Sequence, residues 1–253
     1  MKNTISIIAL LTLSVFAFAQ KKLILHYSYT QNISGREVTN FIDQYYHNGR
    51  SIEVPIVRQK LNDTTIRQGR NVTRHVYLTG LSKRLPFVLK NPASKSLIYA
   101  ENIWIKPTML VIDSINNFKW NILKENKVIG EATCVKAETF FRGRNYIAWF
   151  KPDFDIQTGP WKFTGLPGII YEIMDQGKLF SYSLNDLEFV DEFPLELKVP
   201  DVYVDDQMIT HSDFILAWKT IKLDAEKDND QVNYTFTGSS HIKRSIAPMK
   251  ELY

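Results

Sequence analysis

The residues that could carry chemistry in this chain are few and scattered. A single cysteine, Cys134, stands in an alternating segment. As a nucleophile or soft metal ligand it would need a His or a cation beside it. No His lies within fifty residues of it, and Lys136, two residues on, would share its face of a strand. The plainer reading is a small buried core residue. Arg142 and Arg144 flank Gly143 and could clamp a carboxylate or phosphate, or bridge to Glu138, Asp153 or Asp155. Trp149 and Trp161 offer stacking surfaces or packing anchors. The five histidines (26, 47, 75, 211 and 241) form no HxH, HxxxH or HExxH, so no metal site of local origin is expected. There is no GxSxG elbow, Walker A loop or GxGxxG. No cofactor is expected. The enzymatic alternative is a hydrolase or thiol enzyme built on Cys134.

Composition frames these residues. The chain has 253 residues, 44% hydrophobic and 23% charged, an ordinary globular balance. Lys and Arg number 31 against 27 Asp and Glu, a formal charge of +4. That excess is too thin for a nucleic-acid face, which needs concentrated cations. One cysteine excludes an internal disulfide, so stability must come from the core.

The N-terminus reads as an export leader. Lys2 precedes an apolar run over residues 5–18, and Ala17, Phe18 and Ala19 form an A-x-A cleavage site. Cleavage is expected after residue 19, leaving a single β-rich domain over 20–253 in the periplasm or cell envelope. No later segment reaches membrane-helix length, so no span is expected after cleavage.

Period-2 segments dominate the rest. Strands are expected at 23–29, 52–57 (an edge strand or bulge, because of Pro55), 75–78, 86–90, 96–105 and 109–115. A central meander is expected over 118–187: 118–123, a turn at 124–127, then 128–137, 138–141, 145–150, 169–174 and 179–190. Residues 175–178 read as a hairpin turn. The best helix is 212–222, capped by Ser212, with a charged turn at 224–230 after it. A weaker helix covers 36–46, and a short last strand 233–237. The fold class is mainly β or α+β: a single large antiparallel curved sheet packed against one or two helices.

Residues 159–168, GPWKFTGLPG, are the most unusual stretch. Three glycines and two prolines fix much of its backbone. Pro167 and Gly168 suit a type II turn with Gly168 at positive φ. Trp161, Phe163 and Leu166 bring large apolar surface, so the loop is expected to be ordered and packed on the sheet, with Arg142 or Arg144 in contact range.

This stretch, continued by Ile169 and Ile170, resembles the defining motif of the GLPGLI family of secreted Bacteroidota proteins, with Ile169 in place of the usual Leu. The resemblance extends over residues 120–175 through Trp120-Asn121-Ile122, the Lys127–Gly130 turn, Cys134-Val135-Lys136-Ala137 and the block from Phe141 to Phe150. It implies an exported envelope protein acting beside an outer-membrane TonB-dependent-receptor-like partner. The functional expectation is a non-enzymatic binding or accessory protein, with an apolar or anionic small ligand. Its expected contacts are Arg142, Arg144, Trp149, Trp161, Lys162, Gly165, Pro167 and Gly168.

Overall fold

The computed structural model describes residues 22–33, 35–57, 64–68, 71–75, 84–101, 103, 108–115, 118–152, 156–231 and 251. The leader, the expected strand at 233–237 and, but for His75, the expected strand at 75–78 lie outside them. The described chain is mostly β. Fourteen strands run in order: β1 Lys22–Ile33, β2 Arg36–His47, β3 Arg50–Pro55, β4 Thr64–Gln68, β5 Asn71–His75, β6 Phe87–Asn91, β7 Ser96–Glu101, β8 Met109–Ser114, β9 Asn121–Ile129, β10 Ala132–Phe141, β11 Arg144–Lys151, β12 Ile169–Asp175, β13 Phe180–Val190 and β14 Ile209–Thr210. One α-helix, α1 (His211–Gln231), follows β14 directly. Twelve strands form one curved sheet in the order β14-β8-β7-β6-β3-β2-β1-β13-β12-β11-β10-β9, while β4 and β5 pair separately. Every pairing in the large sheet is antiparallel except β14 with β8.

Both faces of the sheet are covered, and alternation along each strand explains how. On one face stand Leu25 and Tyr27 of β1, Ile42 and Gln44 of β2, Glu53 of β3, Lys90 of β6, Tyr99 of β7, Asp113 of β8 and Phe150 of β11. Residues 156–168 cross this face with Trp161, Phe163 and Leu166 in the main core cluster. Beside them α1 lays Phe214 and Ile215 on Leu97, Tyr99 and Val111. The other face carries Ile24, Tyr45, Ile52, Phe87 and Leu89, covered by Phe193, Leu195, Leu197 and Tyr203 from residues 191–203. That extended strap alternates apolar-in and polar-out without joining the sheet.

The central meander is present as β9 to β13, with the hairpin turn at 175–178 in place. Other elements differ from the sequence reading. Residues 36–46 form β2, not a helix: β-branched and aromatic residues suit a strand, and β2 pairs with β1 along its length. The expected turn at 124–127 is mid-strand in β9, and the chain turns at Gly130, whose φ is 60°. As an edge strand that is exposed almost throughout, β9 buries no face and shows no alternation. Residues 138–141 are part of β10 rather than a separate strand. β3 is interior, and Pro55 sits beyond its last rung with β6, where its missing N–H costs no ladder bond on that side.

The charged stretch 224–230 continues α1 instead of turning, since no Gly or Pro stops it. The cap is Thr210, not Ser212. The Asp213 N–H donates to Thr210 Oγ1 (3.2 Å) and the Thr210 N–H to Asp213 Oδ2 (3.4 Å), a reciprocal capping box that Thr210 Oγ1–H reinforces by donating to Asp213 Oδ2 (2.7 Å). Thr210→Ala is therefore expected to lower stability by about 1 kcal/mol, and Ser212→Ala by only a few tenths, measured as urea midpoints.

Candidate functional site

Most of the 156–170 segment is buried, Gln157, Gly165 and Pro167 being exposed, and a buried loop must find partners for its backbone. Four strands supply them. The Gly159 carbonyl accepts from Gln44 Nε2 (2.6 Å) and from Lys90 Nζ. The Trp161 N–H donates to Glu53 Oε2 (2.5 Å), holding Trp161 at a φ of 48°, an unfavourable value for a side-chain-bearing residue. Tyr27 Oη–H donates to the Ile170 carbonyl (2.7 Å), and Thr158 Oγ1–H to Gln44 Oε1 (3.1 Å). At the far end Trp120 Nε1–H donates to the Thr164 carbonyl (2.8 Å). The loop's stems join each other through Thr158 N–H to Gly168 O (3.2 Å) and Ile170 N–H to Thr158 O (3.1 Å).

The turn at Pro167 is tighter than a type II turn: Gly168 N–H donates to Leu166 O (2.9 Å), a three-residue γ-turn. Gly168 has the expected positive φ, at 151°. A Cβ there would lie 1.9 Å from the Lys151 carbonyl oxygen. Gly165, at φ 90°, faces open space apart from the Trp120 ring at 3.8 Å.

Next to this cradle lies a knot of buried charge. Lys162, 5% exposed, sends its Nζ to Asp113 Oδ2 (2.8 Å) and Glu251 Oε1 (3.0 Å). Arg142 grips Asp113 with two donors, Nη1 to Oδ2 (2.7 Å) and Nη2 to Oδ1 (2.8 Å), and reaches Glu251 Oε1 with Nη1 (2.9 Å). His211 Nε2 lies 2.8 Å from Glu251 Oε2, so its proton belongs there. Nδ1 is then the acceptor for Tyr99 Oη–H (2.8 Å). Burial pushes the Asp113 carboxyl up, but the Arg142 hydrogen bonds and the Lys162 charge outweigh it and hold it well below the usual range. Glu251 is held low in the same way: burial raises it, and Lys162 and His211 more than reverse this. Asp113, His211 and Glu251 have the donor set and closeness of a cation site. The Lys162 ammonium already contacts both carboxylates, so the chain supplies its own cation.

The residues expected from sequence separate into groups. Arg142 and Lys162 meet through shared carboxylates, so one arginine does contact the loop's ionic network. Arg142 does so from a turn: with φ 44°, and Gly143 at 81°, the pair makes the two-residue β10–β11 hairpin. Arg144 points elsewhere, 3.5 Å from Asp175 Oδ2, beside the turn where Asp175 accepts the Leu179 and Phe180 amides. Trp161 is buried edge-on to Phe163, while Trp149 packs under the Lys127 ammonium at 5.7 Å, across from Glu172. Pro167 is exposed. Cys134 is fully buried, and Lys136 pairs with Glu125 and Glu138 after a bulge in β10. Asp153 and Asp155 lie outside the described residues. Sequence reasoning missed Gln44, Glu53, Lys90, Tyr99, Asp113, His211 and Glu251. The available signal was phase: Lys90 follows Val88 by two and Asp113 follows Val111 by two, so both share an inward face.

The opposite face of the sheet holds a groove of about 850 Å³ between β3, the start of β6 and the 191–203 strap. Ile52, Val54 and Phe87 line one side, and Phe193, Leu195 and Leu197 the other. Lys22 pairs with Glu192 (2.6 Å) and Lys198 with Asp201 (3.2 Å) at the rim. His47 also lines it, and its buried Nδ1 has no hydrogen-bond partner among the described residues. Arg50 Nη2 to Leu197 O (2.8 Å) and Tyr203 Oη–H to Leu85 O (2.8 Å) pin the strap.

Two tests follow from the cradle. Gly168→Ala combines a forbidden φ with a backbone collision and is expected to cost over about 3 kcal/mol or to prevent folding, whereas Gly165→Ala should cost about 1 kcal/mol, both read by urea unfolding. Burial lowers the Lys90 ammonium to about 8, against the opposing pull of Glu53. Below that pH both folded and unfolded chains carry the proton and the burial penalty stands in full. Between about 8 and 10.5 the folded chain has released it and the unfolded chain has not, so stability rises with pH. Wild type should gain about 2 kcal/mol between pH 7 and 9.5 relative to Lys90→Met.

No family model and no curated protein matches the chain. Two crystal forms of PNGF-II are 10% identical to it and align over 79% of this chain at TM-scores of 0.47 and 0.49. The chain covers 32% and 34% of them, about a third of their length. A putative outer membrane lipoprotein-sorting protein domain from Vibrio parahaemolyticus is 11% identical, with a TM-score of 0.25 over 70% of this chain and 88% of that one. Likeness at this distance assigns no activity.

Proposed function

We propose that the chain is an exported cell-envelope protein of the GLPGLI type that binds an apolar ligand without transforming it. The observation that carries this reading is the groove under the 191–203 strap. Its volume of about 850 Å³ lies within the range of small-molecule sites, and its aliphatic and aromatic walls carry the His47 ring, with Lys22, Glu192, Glu196, Lys198 and Asp201 also lining it. The groups with chemical potential on the other face are engaged instead: Lys162, Arg142, Asp113 and Glu251 neutralise one another, and Cys134 is enclosed. The leader residues Ala17, Phe18 and Ala19 support export. Among the described residues no helix is long and apolar enough to cross a membrane. The residue 120–175 block supports the family reading and, with it, an outer-membrane TonB-dependent-receptor-like partner.

Export makes the chain begin at Gln20, and this mature form is the one to assay. Titrating it with cis-parinaric acid should give saturable, one-to-one fluorescence enhancement with a Kd of about a micromolar, weakened at least about tenfold in Leu195→Asp, which places a charge in the apolar wall. Linear, unsaturable enhancement, or equal binding by the variant, would remove the groove as the site. Affinity capture from envelope extracts tests the partner separately.

A further inference from the structure

We infer that the strap groove takes a long-chain monocarboxylate, an assignment that rests on the apolar-ligand reading above, with the hydrocarbon under the strap and the head group at the end where Lys22, His47 and Arg50 stand. Strand register sets this end apart. His47 pairs with Arg50 across β2 and β3, and Leu23 with Tyr46 across β1 and β2, so Lys22, His47 and Arg50 stand side by side on successive strands. Alternation puts them on the groove face: Lys22 shares the phase of Ile24, His47 that of Tyr45 and Arg50 that of Ile52, all in the apolar cluster under the strap. Two residues further along each strand, on the same face, the row is Ile24, Tyr45, Ile52 and Leu89. The face therefore passes from cationic to aliphatic and aromatic within ~7 Å, the layout that an amphiphile with one charged end requires.

The donors at this end have capacity to spare. Arg50 is exposed, gives Nη2–H to Leu197 O (2.8 Å) and pairs with no carboxylate among the described residues. The rest of its guanidinium is a planar fork suited to a carboxylate. His47 Nε2 accepts from Asn48 Nδ2–H (3.1 Å), which leaves the ring proton on Nδ1, a buried donor with no acceptor among the described residues. Such a donor is costly to bury unanswered, and a ligand oxygen at this end would answer it. The Lys22 side chain is 25% exposed while its partner Glu192 extends into solvent at 86%, a pairing of the kind that holds weakly. Glu192, Glu196 and Asp201 also line the groove. They repel a dianionic head more than a monoanionic one, which selects a carboxylate over a phosphate monoester.

Ligands with one twelve-carbon chain and different heads separate the head-group claim from the groove itself. Dodecanoate, dodecanol, dodecyltrimethylammonium and monododecyl phosphate, each below its critical micelle concentration, are competed against cis-parinaric acid on the mature chain at pH 8. Dodecanoate should have an inhibition constant at least about tenfold below those of the other three. In Arg50→Gln the dodecanoate constant should rise about tenfold to meet that of dodecanol, the dodecanol constant should stay within about twofold of wild type, and Arg50→Lys should recover part of the loss. Dodecanol guards against a strap loosened by loss of the Leu197 bond, because loosening would weaken both ligands alike. Equal inhibition by dodecanoate and dodecanol, or an equal loss of both in Arg50→Gln, would overturn the head-group site and leave the groove standing. Tighter binding of the phosphate would overturn the carboxylate. Failure of cis-parinaric acid to saturate would instead defeat the groove, and the carboxylate with it.

Discussion

The Gly159 carbonyl organises this fold. A loop of glycine, proline and aromatic residues lies inside the protein, where each unpaired backbone group is penalised by loss of water. Gln44 and Lys90, from strands not adjacent to each other, donate to that one oxygen. Glu53 takes the Trp161 amide two residues on. With the polar atoms of the backbone answered, Trp161, Phe163 and Leu166 fill the space above Tyr27, Ile42 and Phe150. Each such side chain contributes about 1.5–3 kcal/mol on burial, so the polar cradle and the apolar filling act together.

The ionic knot extends the same arrangement across the sheet. Asp113 belongs to β8 near one edge, Arg142 to the β10–β11 hairpin near the other, and they are joined in space by the loop's Lys162. His211 adds the first residue of α1, and Glu251 the segment beyond it. The knot therefore links segments of which only β8 and the β14–α1 junction share a strand pairing. An apolar side chain at position 162 would leave Arg142 to face both carboxylates without the Lys162 charge.

Much of the fold was legible because alternation is a local signal. The meander from β9 to β13 and strands β6 to β8 follow from period-2 runs and their turns. What escaped was set by distant partners. Val38, Phe41, Ile42 and Tyr45 also fit a helical spacing, and only pairing with β1 makes residues 36–47 a strand. The cap passed to Thr210 because β14 ends there. For the site, loop order and the positive φ of Gly168 were readable from Gly and Pro, as was the contact of an arginine with the loop network. The cradle was not, because Gln44, Glu53 and Lys90 are polar residues at inward positions, which in sequence resemble the outward ones of a shifted register. The role of Glu251 depends on a long-range return of the chain, for which no local pattern exists.

Amide hydrogen exchange at Trp161 tests most directly whether the loop is a structural keystone. In a surface loop this amide would exchange through small local openings. Held by Glu53 in the core, it should open only with the molecule, so its exchange free energy should equal the global unfolding free energy and match that of the β1 amides. Exchange within seconds at neutral pH, several kcal/mol below the global value, would mean that the loop moves independently of the sheet and would contradict the account.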